Sequence, residues 1–264
     1  MGKIIAFSNQ KGGVGKTTSC VNMSAYLAQK GYKVLIVDLD PQGNATSGLG
    51  FAKSDVKSSV YNVMIDDAPI VDAVYKTCVD GLALLPSSID LAGAEVELVY
   101  IKDREHVLQK VLEKAKDSYD YITIDCPPSL GLLTINALAA ADSVLIPIQS
   151  EYYALEGLSQ LMNTIRLVVK HLNPSLKIEG VVLTMNDNRA IISRQISEEI
   201  KKFFGKSVFE TVIPRNIRLA EAPSHGVPIM LHDTRCSGAK AYLAFTEEFL
   251  TRQPKKTKTA AKQA

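Results

Sequence analysis

Short runs of apolar residues alternate along this chain with longer stretches in which apolar positions recur every three or four residues. The short runs cover residues 3–8, 33–38, 82–86, 121–125, 144–148, 178–185 and 207–213. Several are unbroken, such as Val34-Leu35-Ile36-Val37, the pattern of a parallel strand covered on both faces. The longer stretches, 16–30, 91–116, 132–140, 155–171 and 191–204, predict helices. Strand–helix alternation predicts an α/β fold: a mostly parallel, twisted sheet with helices on both faces. Residues 55–77 show no clear period, and no internal repeat is visible. Beyond Pro254 the composition collapses to Lys, Thr, Ala and Gln, which cannot bury a core and predicts disorder. The expected organisation is one folded domain over 1–252 and a basic tail over 253–264.

Composition fits this reading. A chain of 264 residues suits one large α/β domain, and 46% apolar content supplies a core. No apolar run approaches the roughly 20 residues that span a bilayer. The N-terminus enters a strand directly, without the apolar stretch and cleavage site of a signal peptide, so a cytoplasmic location is expected. Cys20, Cys78, Cys126 and Cys236 are far apart in sequence, which gives no CxxC-type site and fits a reducing compartment. Net charge is +2, but the final stretch from Thr251 holds Arg252, Lys255, Lys256, Lys258 and Lys262 and no acid. The remainder has 25 basic against 28 acidic residues. Such a body binds nucleic acid only through a local basic patch.

The segment Asn9-Gln10-Lys11-Gly12-Gly13-Val14-Gly15-Lys16-Thr17-Thr18 follows a strand and opens a helix. Glycines there let successive backbone N–H groups turn inward around phosphate oxygens, and the helix adds its positive end. Lys16 can reach the β- and γ-phosphates, and the Thr17 hydroxyl can ligate magnesium. The blander alternative is a glycine-rich turn before a helix. Gln10 stands where the common P-loop pattern has glycine, and a second lysine precedes the glycines at Lys11. In this KGGVGKT form the chain resembles the deviant P-loop of the MinD/ParA class of ATPases. That resemblance implies that Lys11 reaches across a dimer to the partner's phosphates, as an arginine finger would.

Two predicted strands end in carboxylates, at Asp38-Leu39-Asp40-Pro41-Gln42 and at Asp125-Cys126-Pro127-Pro128. A lone Asp at a strand end is most often a cap or turn residue. Two of them beside the P-loop strand would stand at the carboxyl edge, where ligands bind in open α/β sheets. Asp125 would hold magnesium through water, and Asp40 would orient the attacking water. The family motif places its catalytic carboxylate directly before Pro-Gln, which favours Asp40 over Asp38.

The resemblance is to the ParA/Soj type in particular and covers residues 3 to about 250. Besides the phosphate motifs it rests on Ile213-Pro214-Arg215-Asn216-Ile217-Arg218-Leu219-Ala220-Glu221-Ala222-Pro223-Ser224. It implies a P-loop NTPase fold and a slow, partner-stimulated ATPase using ATP and magnesium. It further implies an ATP-driven homodimer that binds DNA without sequence preference, a ParB/Spo0J-type partner and association with the nucleoid. It implies a nucleotide site formed by Lys11, Gly12, Gly13, Val14, Gly15, Lys16, Thr17 and Thr18, with Asn186, Pro214 and Asn216 around the base and Glu151 contacting nucleotide across the dimer. It implies a DNA patch from Arg189, Arg194, Lys201, Lys202, Arg215 and Arg218. Arg194 and Lys201 share one helix face, although Glu198 and Glu199 on that helix also suit an ordinary solvated face.

The competing reading is a MinD-like membrane-positioning ATPase. It needs a C-terminal amphipathic helix with large apolar residues on one face, whereas Tyr242, Leu243, Phe245, Phe249 and Leu250 read as core-facing. A metabolic synthetase on the same scaffold would need a small-substrate pocket that the sequence does not reveal. A nitrogenase-type iron protein would need two cluster cysteines, and Cys78 has no convincing ligand context.

Overall fold

In the computed structural model, which describes residues 2–151, 154–186 and 191–254, seven strands form one sheet. They are β1 (Lys3–Phe7), β2 (Val34–Asp38), β3 (Tyr75–Lys76), β4 (Leu82–Leu85), β5 (Tyr121–Asp125), β6 (Ser143–Gln149) and β7 (Lys177–Thr184). The spatial order is β3-β4-β2-β5-β1-β6-β7. Every neighbouring pair is parallel except the β3–β4 edge.

Strand alternation divides the core in two. Ile4, Ala6, Leu35 and Val37 face one cluster, filled from the other side by Leu98, Leu112, Ala137, Leu161 and Ile200. Ile5, Phe7, Val34 and Ile36 face a second cluster, with Met23 and Leu27 of helix Lys16–Gln29 and Tyr242, Phe245 and Phe249 of helix Ser237–Arg252. Both faces of β2 are covered, which is why its sequence is an unbroken apolar run. The C-terminal apolar cluster is therefore core, as its spacing predicts. Among the described residues, no helix is long and apolar enough to cross a membrane.

Two expected elements differ. Residues 207–213 do not form a strand. Isolated bridges tie Val208 to Val181 and Pro214 to Asn186, but the amides of Glu210 and Thr211 donate to the Glu248 carboxylate, both at 2.8 Å, instead of to β7. Phe209 lies so close over Gly180 that a side chain there would collide with its ring. Residues 91–116 are also not one helix. Leu91–Leu98 and Val107–Glu113 are separate helices, with Asp103 left-handed at φ 55° between them. Asn136 braces the break: its Nδ2 donates to the Arg104 carbonyl at 2.8 Å and its Oδ1 accepts from the Leu108 amide at 3.1 Å. The irregular 55–77 stretch holds short helices Val60–Ile65 and Ile70–Ala73 as well as β3.

At the C-terminus, Arg252 stacks on Phe209, 4.0 Å from the ring centroid, and Gln253 accepts from Lys3 and donates to Glu179, each at 2.7 Å. The tail from 255 onward lies outside the described residues.

Candidate nucleotide site

The loop between β1 and helix Lys16–Gln29 is held from three sides. Asn9 accepts the Lys11 amide at 3.0 Å and donates to the Pro147 carbonyl at 2.7 Å, fixing the loop against β6. Gly13 and Gly15 take φ values of 73° and 82°, which a side chain would oppose. The Thr184 hydroxyl, from the end of β7, donates to the Val14 carbonyl at 2.7 Å. Lys16 is buried and donates to the Lys11 carbonyl at 3.3 Å, so its ammonium is curled inside the loop. Burial lowers its pKa, opposed by the charges of Asp125, Cys126 and Asp40.

Asp38 and Asp125 are register partners at the ends of adjacent strands. Both are fully buried, but their surroundings differ. Asp38 Oδ2 accepts the amide and hydroxyl of Thr46 at 2.7 and 2.6 Å. Burial still pushes its carboxyl up to about 6, against those two bonds. Neither oxygen of Asp125 meets a donor at normal geometry. Burial and then the neighbouring Asp38 charge raise its pKa well above the carboxylate range, with Thr17 and Lys16 opposing. Asp40 is buried, and its Oδ1 accepts only the local Gln42 amide, at 2.9 Å, among the described residues.

A divalent cation fits this arrangement. Two buried carboxylates beside one another ask for more positive charge than Lys16 supplies, and Asp125 and Thr17 offer the hard oxygen donors that magnesium prefers. Among the described residues, no group of three or more His, Cys, Asp or Glu is placed to hold a metal. Such an ion would therefore draw its remaining oxygens from phosphates and water. The other buried side-chain atoms without a partner, Ser8 Oγ and Gln10 Oε1, lie in or beside the same loop.

Beside the loop is a cavity of about 370 Å³ lined by Gly15, Thr18, Met185, Pro214, Asn216 and Tyr242, among others. Pro214 and Asn216 border it, whereas Asn186, bridged to Pro214, is not among its lining residues. Asn216 caps helix Ile217–Glu221 by accepting the Arg218 amide at 2.8 Å, and also donates to Ser237. Its side chain thus already serves the turn chemistry. Asn186 Oδ1 accepts from Ser193 at 2.8 Å. A larger cavity, about 580 Å³, lies at the opposite edge, near the starts of β2, β4 and β5. It contains none of the phosphate-loop or acidic residues.

Lys11 is ion-paired within its own subunit to Glu151 at 2.7 Å, and both are partly exposed. Of the expected DNA contacts, Arg194, Lys201 and Arg215 are exposed. Lys202 is paired with Glu199 at 2.7 Å, and Arg218 with Glu221 at 2.7 Å and Asp233 at 3.8 Å. Arg189 lies outside the described residues. Sequence reasoning missed Thr184, Met185, Thr46 and Ser87. Thr184, Met185 and Ser87 lie at or just beyond strand ends and Thr46 in the short helix Asn44–Gly48, none in a recognisable motif, so only the three-dimensional contacts distinguish them.

A model of the AAA domain family matches residues 2–178. The sporulation initiation inhibitor protein Soj of Bacillus subtilis is 61% identical over 94% of this chain and 98% of its own. The chromosome partitioning protein ParA of Myxococcus xanthus is 53% identical over 97% of this chain and 91% of its own. Among solved structures, cobyrinic acid a,c-diamide synthase from Mycobacterium smegmatis with bound ATP analogue and magnesium superposes with a TM-score of 0.84. It is 37% identical and covers 95% of both chains.

Proposed function

Taking as premise that the chain belongs to the ParA/Soj family of chromosome-partitioning ATPases, we propose that it is an ATP-driven dimerisation switch acting on DNA. With ATP and magnesium bound, two copies pair across their phosphate loops. The pair binds DNA without sequence preference, and slow hydrolysis, stimulated by a ParB-type partner, releases it. The observation that carries the reading is the buried carboxylate of Asp125, beside Lys16 and Thr17 at the mouth of a phosphate loop, with neither oxygen in a hydrogen bond of normal geometry.

The residues divide the work. Backbone N–H groups from Gly12 to Thr18 surround the phosphates, and Lys16 neutralises them. Thr17 and Asp125 would hold magnesium, which supplies positive charge to the β- and γ-phosphates. The base sits in the cavity beside Met185, Pro214 and Asn216. Asp40 orients the water that attacks the γ-phosphorus and accepts its proton. Lys11 leaves Glu151 for the partner's phosphates. A partly exposed ion pair is worth about 0–1 kcal/mol, so phosphate outcompetes Glu151 readily. The freed Glu151 then stands at the interface, where it can meet the partner's nucleotide.

The experiment for the dimer is Gly12→Val. A Cβ at Gly12 meets no atom within 4 Å in the single subunit, so the variant folds with unchanged thermal stability. Valine would occupy the surface where the subunits approach. Light scattering with ATP is expected to show a monomer for Gly12→Val and for Lys11→Ala. A normal dimer for both would overturn the shared site.

DNA binding is assigned to Arg189, Arg194, Lys201, Lys202, Arg215 and Arg218. Arg218 exchanges Glu221 for phosphate, so Arg218→Glu is expected to abolish DNA binding while leaving the ATP dimer intact. Each lost phosphate contact should lower the log–log salt slope by roughly 0.9. If truncation after Gln253 removes binding and Arg218→Glu does not, the tail is the DNA element. The membrane-positioning alternative lacks support, since the apolar face of helix Ser237–Arg252 is spent on the core. The synthetase reading is weaker too, because the partition relatives are 53–61% identical and the synthase 37%.

A further inference from the structure

We infer that Ser87 is a positioning residue for hydrolysis: its hydroxyl fixes the peptide of Asp40 and so aims the Asp40 carboxylate. The inference rests on the reading of Asp40 as the group that orients the attacking water. Ser87 is fully buried and lies two residues beyond β4, the strand next to β2. Its Oγ donates to the Asp40 carbonyl at 2.7 Å. That carbonyl also accepts the Gly43 amide at 2.8 Å. The Ser87 amide donates to Thr46 Oγ1 at 3.0 Å, and the Thr46 hydroxyl donates in turn to Asp38 Oδ2 at 2.6 Å.

One residue of the neighbouring strand exit therefore grips the loop from Asp38 to Thr46 at two points. The two carboxylates of Asp38-Leu39-Asp40 acquire separate tasks. Asp38 is committed to the grip through both Thr46 bonds. Asp40 meets only the Gln42 amide on Oδ1 among the described residues, which leaves Oδ2 for a water. A side chain can aim no better than its own Cα is held, and a displacement of about 1 Å at a reacting group costs on the order of 10²-fold in rate. Hydrogen bonds in series polarise one another, which strengthens the run from the Ser87 amide through Thr46 to Asp38, while the Ser87 hydroxyl separately holds Asp40.

The test is single-turnover ATP hydrolysis by the full-length protein, with ATP affinity and thermal stability measured alongside. Ser87→Ala is expected to lower kcat roughly tenfold while ATP affinity changes less than about twofold, and Ser87→Thr, which keeps the hydroxyl, to restore the rate. In an Asp40→Ala background Ser87→Ala should remove nothing further, because residues that act as a unit are not additive. A purely structural serine would instead lower stability and ATP affinity together. If Ser87→Ala does not fold, Ser87→Cys keeps the volume with a weaker donor and should show a smaller loss of rate. A wild-type rate for Ser87→Ala, a loss matched by weaker ATP binding, or a further loss on top of Asp40→Ala would overturn the inference. Should Asp40→Ala itself hydrolyse normally, the reading of Asp40 falls and this inference with it. An inactive Asp40→Ala beside a normal Ser87→Ala removes the Ser87 role alone.

Discussion

Asp40→Ala is expected to bind ATP and dimerise normally but to hydrolyse roughly 10³-fold more slowly, the range for losing a general base. Asp40 lies at the exit of β2, held by its backbone to Gly43 and Ser87. Among the described residues its carboxylate accepts only the local Gln42 amide. Removing it therefore costs little stability and takes no donor from the phosphates. Asp38, two residues earlier, is the opposite case. It is buried and tied to Thr46, so Asp38→Ala should destabilise the fold and weaken everything downstream. Isothermal titration for affinity and single-turnover kinetics for rate separate the two. A wild-type rate for Asp40→Ala would show that another group positions the water.

Asp125→Asn is expected to move stability and function in opposite directions. In the nucleotide-free protein Asp125 is a buried carboxyl without a donor, and its neighbour Asp38 is raised to about 6. Both folded-state pKa values lie above those of the unfolded chain. Between the unfolded value and the raised one, the folded state holds protons that the unfolded state has released. Stability from these groups is therefore present at low pH and is lost as pH rises through the raised values, about 6 for Asp38. Asparagine removes one of the two charges. Where the pair is ionised, relief on the order of 2 kcal/mol should raise the apo melting temperature by roughly 4–8 °C. The gain should be larger at pH 7.5 than at pH 4.5, because more of the pair is protonated at the lower pH. The same variant should lose the magnesium-dependent part of ATP affinity, since a neutral amide is a poor ligand for a hard dication. Calorimetric melting at the two pH values, with and without MgATP, is the check. A gain in stability larger at pH 4.5 than at pH 7.5 would refute this view of the site's electrostatics.

Sequence alone reveals the sheet because its period is strong. Unbroken apolar runs rich in β-branched residues, such as Val34–Val37, bounded by polar residues, suit strands with both faces covered. The phosphate loop is legible because its chemistry leaves few alternatives for residue type at Gly13, Gly15, Lys16 and Thr17. What escapes sequence is set by side chains from distant segments. Glu248 holds the Glu210 and Thr211 amides between the two points, Phe209 and Ile213, that still donate to β7, and Asn136 holds open the break after Leu98. Neither partner is local, so no window of sequence contains the cause. The same holds for Thr184 on the phosphate loop and Ser87 on Asp40, which lie 170 and 47 residues from their partners. Lys11 illustrates another limit. Its motif points to a partner's phosphates, whereas in the single subunit it rests on Glu151.

The central claim is that the γ-phosphate decides whether the protein is on DNA. The measurement is fluorescence anisotropy with a labelled duplex of arbitrary sequence, at fixed low salt, for the wild type with ADP and with ATP and for Asp40→Ala with ATP. Binding is predicted only in the two ATP samples, transient for the wild type as nucleotide is consumed and persistent for Asp40→Ala. Equal affinity with ADP and ATP would contradict the account.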